Sequence, residues 1–272
     1  MSIDTSAQIA STAQVSDDAD IGPDVVVGHY SIIEGDVFIG ARSKIEPHVV
    51  VKRWTTLGSD NVISTGTVLG SDPLEKTFGG ERSYLKVGNG NTVREHYTIS
   101  RGTAPESVTE IGDNNYIMTS GHIAHNCKIG NNTVIASTAL IAGFVEIGDR
   151  AFLSGGISVQ QFTRIGELAM VGGMTRVNQD VTPYLTHVGA AMAVHGLNVV
   201  GLRRAGLTSE EIDLIRQAFR ILFRSKLPLT EALDRVAAEV SGPHAQRMIE
   251  FIRASKRGIC RRVGRQGEDT DV

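Results

Sequence analysis

The sequence predicts a three-sided parallel β-helix followed by a helical region, and three observations point to this fold class. The chain has 272 residues, of which 30 are glycine, while aromatic residues make up only 5%. Such a composition requires an aliphatic core and a backbone that turns often. An aliphatic residue also recurs at every sixth position over most of the first part of the chain, and this pattern stops after Val177.

The hexad pattern runs through three segments in which every first place is Ile, Val or Leu. The segments extend from Ile3 to Leu69, from Val87 to Ile99, and from Ile111 to Val177. Neither the period of two of an ordinary strand nor the 3.6-residue period of a helix produces this spacing. A parallel β-helix does, because each short strand contributes one inward aliphatic residue. Glycine is frequent at the second place, and we expect it to form the tight corners.

Two interruptions preserve the hexad phase and are predicted to be loops that project from the prism, residues 70–86 and 105–110. We therefore expect a β-helix over 1–185, and a linker with a C-terminal helical domain over 186–272. In that domain Thr208 and Glu211 have the spacing of a capping box at the start of a helix. Further helices are predicted after Pro228 and near Pro243.

Charge and cysteine content exclude several classes of protein. The net charge of -3 gives no basic field for nucleic acid, and two cysteines cannot form a disulfide framework. No apolar run approaches the roughly 20 residues that span a bilayer, and the first residues lack the pattern of a signal peptide. The sequence also lacks a phosphate-binding glycine motif. These features predict a cytoplasmic protein with no cofactor, no membrane span and no nucleic-acid partner.

The segment from Gly121 to Cys127, with sequence GHIAHNC, is the strongest candidate for chemistry. His122 and His125 flank the inward Ile123, so two imidazoles lie close together on a rigid scaffold. Such a pair suits proton transfer or ligand binding near neutral pH, although two surface histidines would have the same spacing. Cys127 is predicted to be a small buried residue and not a nucleophile.

Five stretches together resemble the UDP-N-acetylglucosamine O-acyltransferases, which catalyse the first step of lipid A synthesis. They are GHIAHNCKIGNNTVIAS, GSDPLEKTFGGE, VREHYTISRGT, VQQFTRIGELAMVGGMTRVNQDVTPY and GLNVVGLRRAGL, and the similarity extends over nearly the whole chain. The resemblance implies a left-handed β-helix and transfer of a 3-hydroxyacyl group from acyl carrier protein to a sugar 3-hydroxyl. It also implies a homotrimer with active sites between subunits.

The resemblance also implies roles for individual residues. His125 matches the general base, Gly143 the backbone donor to the oxyanion, and Asn126 the position where the family usually has an orienting Asp. Substrate-binding positions are Glu75, Lys76, Thr77, His122, Phe144, Gln161, Asn198 and Arg204. Acyl-chain length is expected to depend on Gly155, Met170 and Gly173. A basic surface for the acidic carrier is expected from Arg216, Arg220, Arg224, Lys226, Arg253, Lys256 and Arg257.

Several positions depart from the family pattern and leave alternatives open. The family often has His at Phe144 and Gln160, and Asp and Lys at Glu75 and Thr77. One alternative is therefore the same transfer to a 3-amino sugar nucleotide, which would form an amide. A second is a zinc-dependent β-helix carbonic anhydrase, with His96 as third ligand beside His122 and His125. A third is a non-catalytic trimeric binding scaffold.

Overall fold

The chain forms a left-handed parallel β-helix capped by helices, which confirms the predicted fold class. The computed structural model describes residues 2–264, so Met1 and residues 265–272 lie outside the described residues. In chain order the strands are β1 Gln8–Ile9, β2 Gln14–Val15, β3 Asp20–Ile21, β4 Val26–Val27, β5 Ile32–Ile33, β6 Phe38–Ile39, β7 Lys44–Ile45, β8 Val50–Val51, β9 Thr55–Leu57, β10 Val62–Ile63, β11 Val68–Ser71, β12 Tyr84–Val87, β13 Thr92–Val93, β14 Thr98–Ser100, β15 Val108–Ile111, β16 Tyr116–Ile117, β17 His122–Ile123, β18 Lys128–Ile129, β19 Val134–Ile135, β20 Leu140–Ile141, β21 Glu146–Ile147, β22 Phe152–Leu153, β23 Ser158–Val159, β24 Arg164–Ile165, β25 Met170–Val171, β26 Arg176–Val177, β27 Leu185–Val188 and β28 Ala193–Leu197.

The strands form three sheets, one for each side of the prism. Sheet I has the order β1-β4-β7-β10-β13-β16-β19-β22-β25-β27-β28, sheet II the order β2-β5-β8-β11-β14-β17-β20-β23-β26, and sheet III the order β24-β21-β18-β15-β12-β9-β6-β3. Each strand from β1 to β23 pairs with the third strand after it, so consecutive coils stack at the parallel-strand spacing of about 4.8 Å. Gln8 pairs with Val26 and Val26 with Lys44, so a regular coil consists of three hexads.

The first place of each hexad points into the prism, as the pattern predicts. From Ile21 to Val177 these aliphatic residues are buried and form one continuous core. The first coil differs, because Ile3 is 41% exposed and Ile9 and Val15 are only partly buried. No earlier coil among the described residues covers them, so the core thins towards this end of the prism.

The prediction that glycine forms the corners is wrong at most of them. The left-handed residue is the one in the fourth place of the hexad, and it is usually not glycine, as at Asp36 (φ 57°), Arg42 (φ 58°) and Phe144 (φ 58°). Glycine in the second place has another cause, which is the close approach of the next coil. A Cβ on Gly40 would lie 2.6 Å from the carbonyl carbon of Gly58, well inside van der Waals contact.

Both predicted loops exist, but their bounds differ from those expected. Strands β11 and β12 take up the ends of the first loop, which leaves residues 72–83, and the second loop lies slightly earlier than predicted, at residues 101–107. The pairing step across the first loop, Val62 to Thr92, is five hexads, and the step across the second, Thr92 to Tyr116, is four. Because both steps are whole numbers of hexads, the phase is preserved. Both loops leave the prism where the chain passes from sheet II to sheet III, and we call this edge the loop corner.

The predicted linker contains the last two strands of sheet I. Strand β27 stacks parallel on β25, and β28 returns antiparallel beside it. The helices are α1 Val199–Arg204, α2 Ser209–Phe219, α3 Leu229–Glu239 and α4 Pro243–Arg253, with a π-helical turn Arg220–Arg224 after α2. The sequence analysis missed α1. It predicted the capping box correctly, because the Thr208 hydroxyl accepts from the Glu211 N–H and the Glu211 carboxylate accepts from the Thr208 N–H.

The helices close the C-terminal end of the prism. Apolar residues of α2, α3 and α4 share one buried cluster with Leu168, Tyr184 and Val194 of the last coils. One buried cluster thus joins residues on both sides of position 185. The predicted boundary between a β-helix and a helical domain at this position stays a prediction. Among residues 2–264, no helix has the length and apolarity needed to cross a membrane.

His187 interrupts the aliphatic column at this end of the prism. It pairs with Val171 in sheet I and its side chain is completely buried. Within the described residues neither ring nitrogen makes a hydrogen bond. Burial lowers the pKa of His187 to about 4; the backbone of Leu185 opposes this shift and His195 adds to it. The neutral imidazole is the form compatible with this site.

We predict that His187 makes the fold sensitive to acid. Below the ordinary histidine pKa of about 6.5 the unfolded chain binds a proton that the folded chain excludes until about pH 4. The free energy of unfolding should therefore decrease as the pH is lowered from about 6.5 to about 4, by up to about 1.4 kcal/mol per pH unit from this group. Denaturant unfolding of the wild type and His187→Leu at fixed protein concentration measures it. Equal pH slopes in the two proteins would disprove the prediction.

Candidate active site

Three residues of the predicted site form a column on the loop corner. His125, Gly143 and Gln161 occupy the third hexad place of consecutive coils, because strands β17, β20 and β23 stack in register. The column rises by about 4.8 Å per coil. The two loops leave the same edge in the preceding coils, so the loop that carries Glu75, Lys76 and Thr77 belongs to the same face of the molecule as the column.

His125 is held in one orientation by Asn126. The His125 ring is buried, and its Nδ1 lies 3.0 Å from the Asn126 Oδ1. The same oxygen accepts from the Thr103 N–H at 3.1 Å and from the Thr103 hydroxyl at 2.9 Å, which identifies it as the amide oxygen. His125 must therefore donate from Nδ1, and its Nε2 carries the free lone pair of a base.

Gly143 leaves room for the His125 ring. A Cβ at this position would lie 2.7 Å from the His125 Nε2, so any side chain here would displace the imidazole. No acceptor for the Gly143 N–H is found in the described part of the chain. The corner therefore places a free backbone donor next to a free imidazole nitrogen, which is the arrangement needed to bind a negatively charged oxygen beside a base.

Two phenylalanines form an aromatic wall next to His125. Phe144 meets the His125 ring edge-on with 5.3 Å between centroids, and Phe162 stacks on Phe144 at 4.9 Å. Both rings are partly exposed. The sequence analysis named Phe144 and missed Phe162, although the two occupy the same hexad place one coil apart. This spacing was the signal that would have found it.

His122 lies on the outward face of sheet II near the loop corner. Its Nδ1 is 2.6 Å from the Thr98 hydroxyl of the adjacent coil. Its Nε2 is buried and has no hydrogen-bond partner among residues 2–264. Burial lowers the pKa of His122, the backbone of Thr98 opposes this shift, and His125 adds a smaller lowering contribution. A neutral ring with one unsatisfied nitrogen is suited to bind a ligand by a hydrogen bond.

The other predicted residues lie elsewhere on the prism. Gly155 and Gly173 are on the corner between sheets I and II, and Met170 points outward from sheet I. Met170 lines a groove of about 1610 Å³ between sheet I and the helices, together with Asn198 and Arg204. The amide of Asn198 caps helix α1, because its Oδ1 accepts from the Gly201 N–H and its Nδ2 donates to the Leu168 carbonyl. The predicted site residues are thus not brought together within one chain.

Cys127 and the three histidines of the zinc alternative lie in the same part of the prism. The Cys127 thiol is buried and donates to the Ala142 carbonyl, and burial raises its pKa to about 12. This confirms the prediction that Cys127 is a small buried residue. Within residues 2–264, no group of three or more His, Cys, Asp or Glu side chains is arranged to hold a metal ion, so His96, His122 and His125 do not form a zinc site within the chain.

Comparison with known proteins gives the family. An acyl-(acyl-carrier-protein)–UDP-N-acetylglucosamine O-acyltransferase from Sulfurihydrogenibium is 54% identical over 93% of this chain and 94% of its own length. A protein of the same name from Thermodesulfovibrio yellowstonii is 43% identical over 93% of this chain and 99% of its own. The chain belongs to the UDP-N-acetylglucosamine O-acyltransferase family. This confirms the resemblance found in the sequence.

Domain matches and a solved structure agree with this assignment. Residues 180–260 match the family described as Udp N-acetylglucosamine O-acyltransferase, domain 2, and residues 109–143 match the bacterial transferase hexapeptide repeats. The UDP-N-acetylglucosamine acyltransferase of Francisella novicida superimposes with a TM-score of 0.89 at 33% identity, over 93% of this chain and 94% of that one. The two curated relatives are named as O-acyltransferases, so the amide-forming alternative is not favoured.

We predict that Gly143→Ala disturbs the fold locally at His125. The added methyl group overlaps the imidazole, and relief of the overlap should lower the free energy of unfolding by about 1–3 kcal/mol. The crystal structure of the variant should show the His125–Asn126 hydrogen bond broken. Gly173→Ala is the matched control, since its Cβ would lie 3.5 Å from the nearest atom, the Gly155 carbonyl oxygen. Equal stabilities of the two variants, with the His125 ring unmoved, would contradict the prediction.

Proposed function

We propose that the chain transfers a 3-hydroxyacyl group from acyl carrier protein to the 3-hydroxyl of UDP-N-acetylglucosamine, the first step of lipid A biosynthesis. The observation that carries the proposal is the free Nε2 of His125 beside the free N–H of Gly143. These two groups supply the base and the oxyanion donor that acyl transfer to a hydroxyl requires. The reaction needs no cofactor.

The chemistry follows from this pair of groups. The His125 Nε2 accepts the proton of the sugar 3-hydroxyl while that oxygen attacks the thioester carbonyl. The carbonyl oxygen becomes an oxyanion and accepts from the Gly143 N–H. When the intermediate collapses, the carbon–sulfur bond breaks, and His125 passes the proton from the sugar hydroxyl to the thiolate of the carrier. Asn126 keeps Nδ1 as the donor throughout, so that Nε2 is always the nitrogen that exchanges the proton.

The remaining predicted residues divide between two parts of the substrate. His122, Gln161 and the loop with Glu75, Lys76 and Thr77 lie on the side of the base and would bind the sugar. Asn198 and Arg204 line the groove beside sheet I and would bind the nucleotide, where a guanidinium suits a pyrophosphate. Phe144 and the neighbouring Phe162 provide an apolar wall against the acyl group or its carrier arm.

The residues proposed to bind the sugar and those proposed to bind the nucleotide lie on different sides of one prism. They come together if the active site lies between subunits of a homotrimer. Sheets I and II carry exposed apolar residues, including Phe152 on the first and Leu140, 55% exposed, on the second. Sheet III instead carries a ladder of charged residues, namely Lys86, Glu110, Lys128, Glu146 and Arg164. Contact of sheet I of one subunit with the sheet II side of the next joins two different faces and closes into a ring.

The groove beside sheet I also has the charge expected of a carrier-binding surface. Six arginines line it, and three of them come from α2 and the turn after it: Arg216, Arg220 and Arg224. A basic rim attracts an acidic carrier protein and raises the association rate. Lys226, Arg253, Lys256 and Arg257, also expected on this surface, do not line the groove.

The two cysteines are free and buried, which fits the cytoplasmic location expected from the sequence.

Loss of the His125 side chain tests the function directly. We expect His125→Ala to lower kcat with acyl carrier protein thioester and UDP-N-acetylglucosamine by about 10²–10⁴, because no other base replaces it. His29→Ala is the matched control, since His29 has the same hexad place on a different corner, and its ring contacts the Thr12 hydroxyl and the Tyr30 ring, both far from the loop corner. Full turnover in His125→Ala would overturn the proposal. Absence of turnover in the wild type with several thioesters and UDP-sugars would favour the scaffold alternative.

Substitution of Gly173 tests the place of the acyl chain. The position is exposed, and a Cβ there would meet nothing closer than 3.5 Å. We expect Gly173→Met to fold normally and to shift the preferred thioester to a shorter chain, since the larger side chain would reduce the space left for the end of the acyl chain. Competition between carriers of different chain length, read by mass spectrometry, measures the preference. An unchanged preference would remove Gly173 from the acyl site.

A further inference from the structure

Arg101 is a buried arginine that the proposed chemistry does not use. It opens the second loop on the loop corner and is only 4% exposed. A buried guanidinium is costly unless its donors are satisfied and its charge is paired. The contacts that satisfy it indicate its purpose, because all but one lie in the first loop or at its end.

The guanidinium contacts the first loop at its beginning, middle and end. Its Nη2 lies 2.7 Å from a carboxylate oxygen of Asp72, the first loop residue. Its centre lies 5.0 Å from the ring of Phe78, which follows Thr77 directly. Its Nη1 donates to the Glu81 carbonyl at 2.7 Å and to the Ser83 hydroxyl at 3.3 Å.

The remaining contact anchors this assembly to the prism. The Trp54 ring, on the loop corner two coils earlier, lies 4.6 Å from the Arg101 guanidinium. The guanidinium therefore contacts two aromatic rings and also donates to three groups of the loop. Only arginine combines a flat cationic face with a planar set of five donors, and lysine offers neither.

The segment that begins with Arg101 also contacts the residue that orients His125. Thr103, two residues further along the chain, donates twice to the Asn126 Oδ1 that orients His125. The same short segment thus holds the sugar-side loop through a side chain and the His125 support through a backbone N–H and a hydroxyl. The relative position of Glu75, Thr77 and His125 depends on residues 101–103.

We infer that Arg101 is a positioning residue that fixes the loop 72–83 against the base and so determines affinity for the sugar nucleotide. The inference rests on the proposed function, because the loop is the proposed sugar site. A loop held in its binding conformation does not lose that freedom on binding, so the cost of ordering it is absent from the affinity for the sugar nucleotide. Arg101 does not contact the reacting atoms.

Steady-state kinetics separate this role from a general loss of structure. Arg101→Met should raise KM for UDP-N-acetylglucosamine about tenfold and leave KM for the acyl carrier protein within about twofold. Phe78→Leu should change the same constant in the same direction by a smaller factor. Arg42→Met is the matched control, because it removes a bidentate ion pair with Asp60 on a distant corner. An unchanged sugar KM in Arg101→Met, or an equal rise in both constants, would overturn the inference.

Limited proteolysis tests the loop without using activity. Trypsin cleaves after Lys76 and Arg82, both exposed on the loop. We expect cleavage there to be about tenfold faster in Arg101→Met than in wild type, with Arg42→Met unchanged, under conditions where all three remain folded. Equal cleavage rates would overturn the inference. If the wild type shows no turnover, the proposed function fails, and the cleavage rates still decide whether Arg101 fixes the loop.

Discussion

The structure depends on one repeated contact, the stacking of an inward aliphatic residue on its counterpart in the next coil. In regular coils the counterpart lies three hexads further along the chain, and from Ile21 to Val177 these side chains are buried with almost no exposed surface. Since the side chains of a strand alternate between faces, a slip of one residue would turn the whole aliphatic column outward. This fixes the register of every coil, and with it the position of every outward side chain.

The candidate site is a direct result of that register. His125, Gly143 and Gln161 are not neighbours in sequence, yet they form a column because they share one hexad place. The two loops lengthen single coils by whole hexads, so the coils after them stack as before. Asn126 can therefore meet Thr103 across an insertion and hold the His125 ring. A rigid prism supplies the preorganisation that a base and an oxyanion donor need.

The sequence predicted the interior of the molecule and much less of its edges. The aliphatic period and the Thr208–Glu211 capping box are local signals, and both were read correctly. The left-handed corners were missed because the fourth hexad place has no preferred residue type, and α1 because its cap, Asn198, has no neighbouring pattern. The contacts of Arg101 with Trp54 and Phe78 join distant parts of the chain, so no local spacing reveals them. The roles of the site residues stay predictions, because the residues proposed to bind one substrate lie on two separate parts of the chain.

The fourth hexad place has a consequence for how such a protein changes over time. Its left-handed conformation is occupied by Asp, Arg, His, Asn and Phe alike, as at Asp36, Arg42, His48, Asn126 and Phe144. Asn and Asp adopt this conformation more readily than Arg, His or Phe, but the penalty for any one residue is only about 1–2 kcal/mol, so a single exchange changes the stability of the prism modestly. The side chains along an edge can diverge one coil at a time while the scaffold stays fixed. New acceptor or donor specificities are then accessible by single substitutions, without compensating changes in the core.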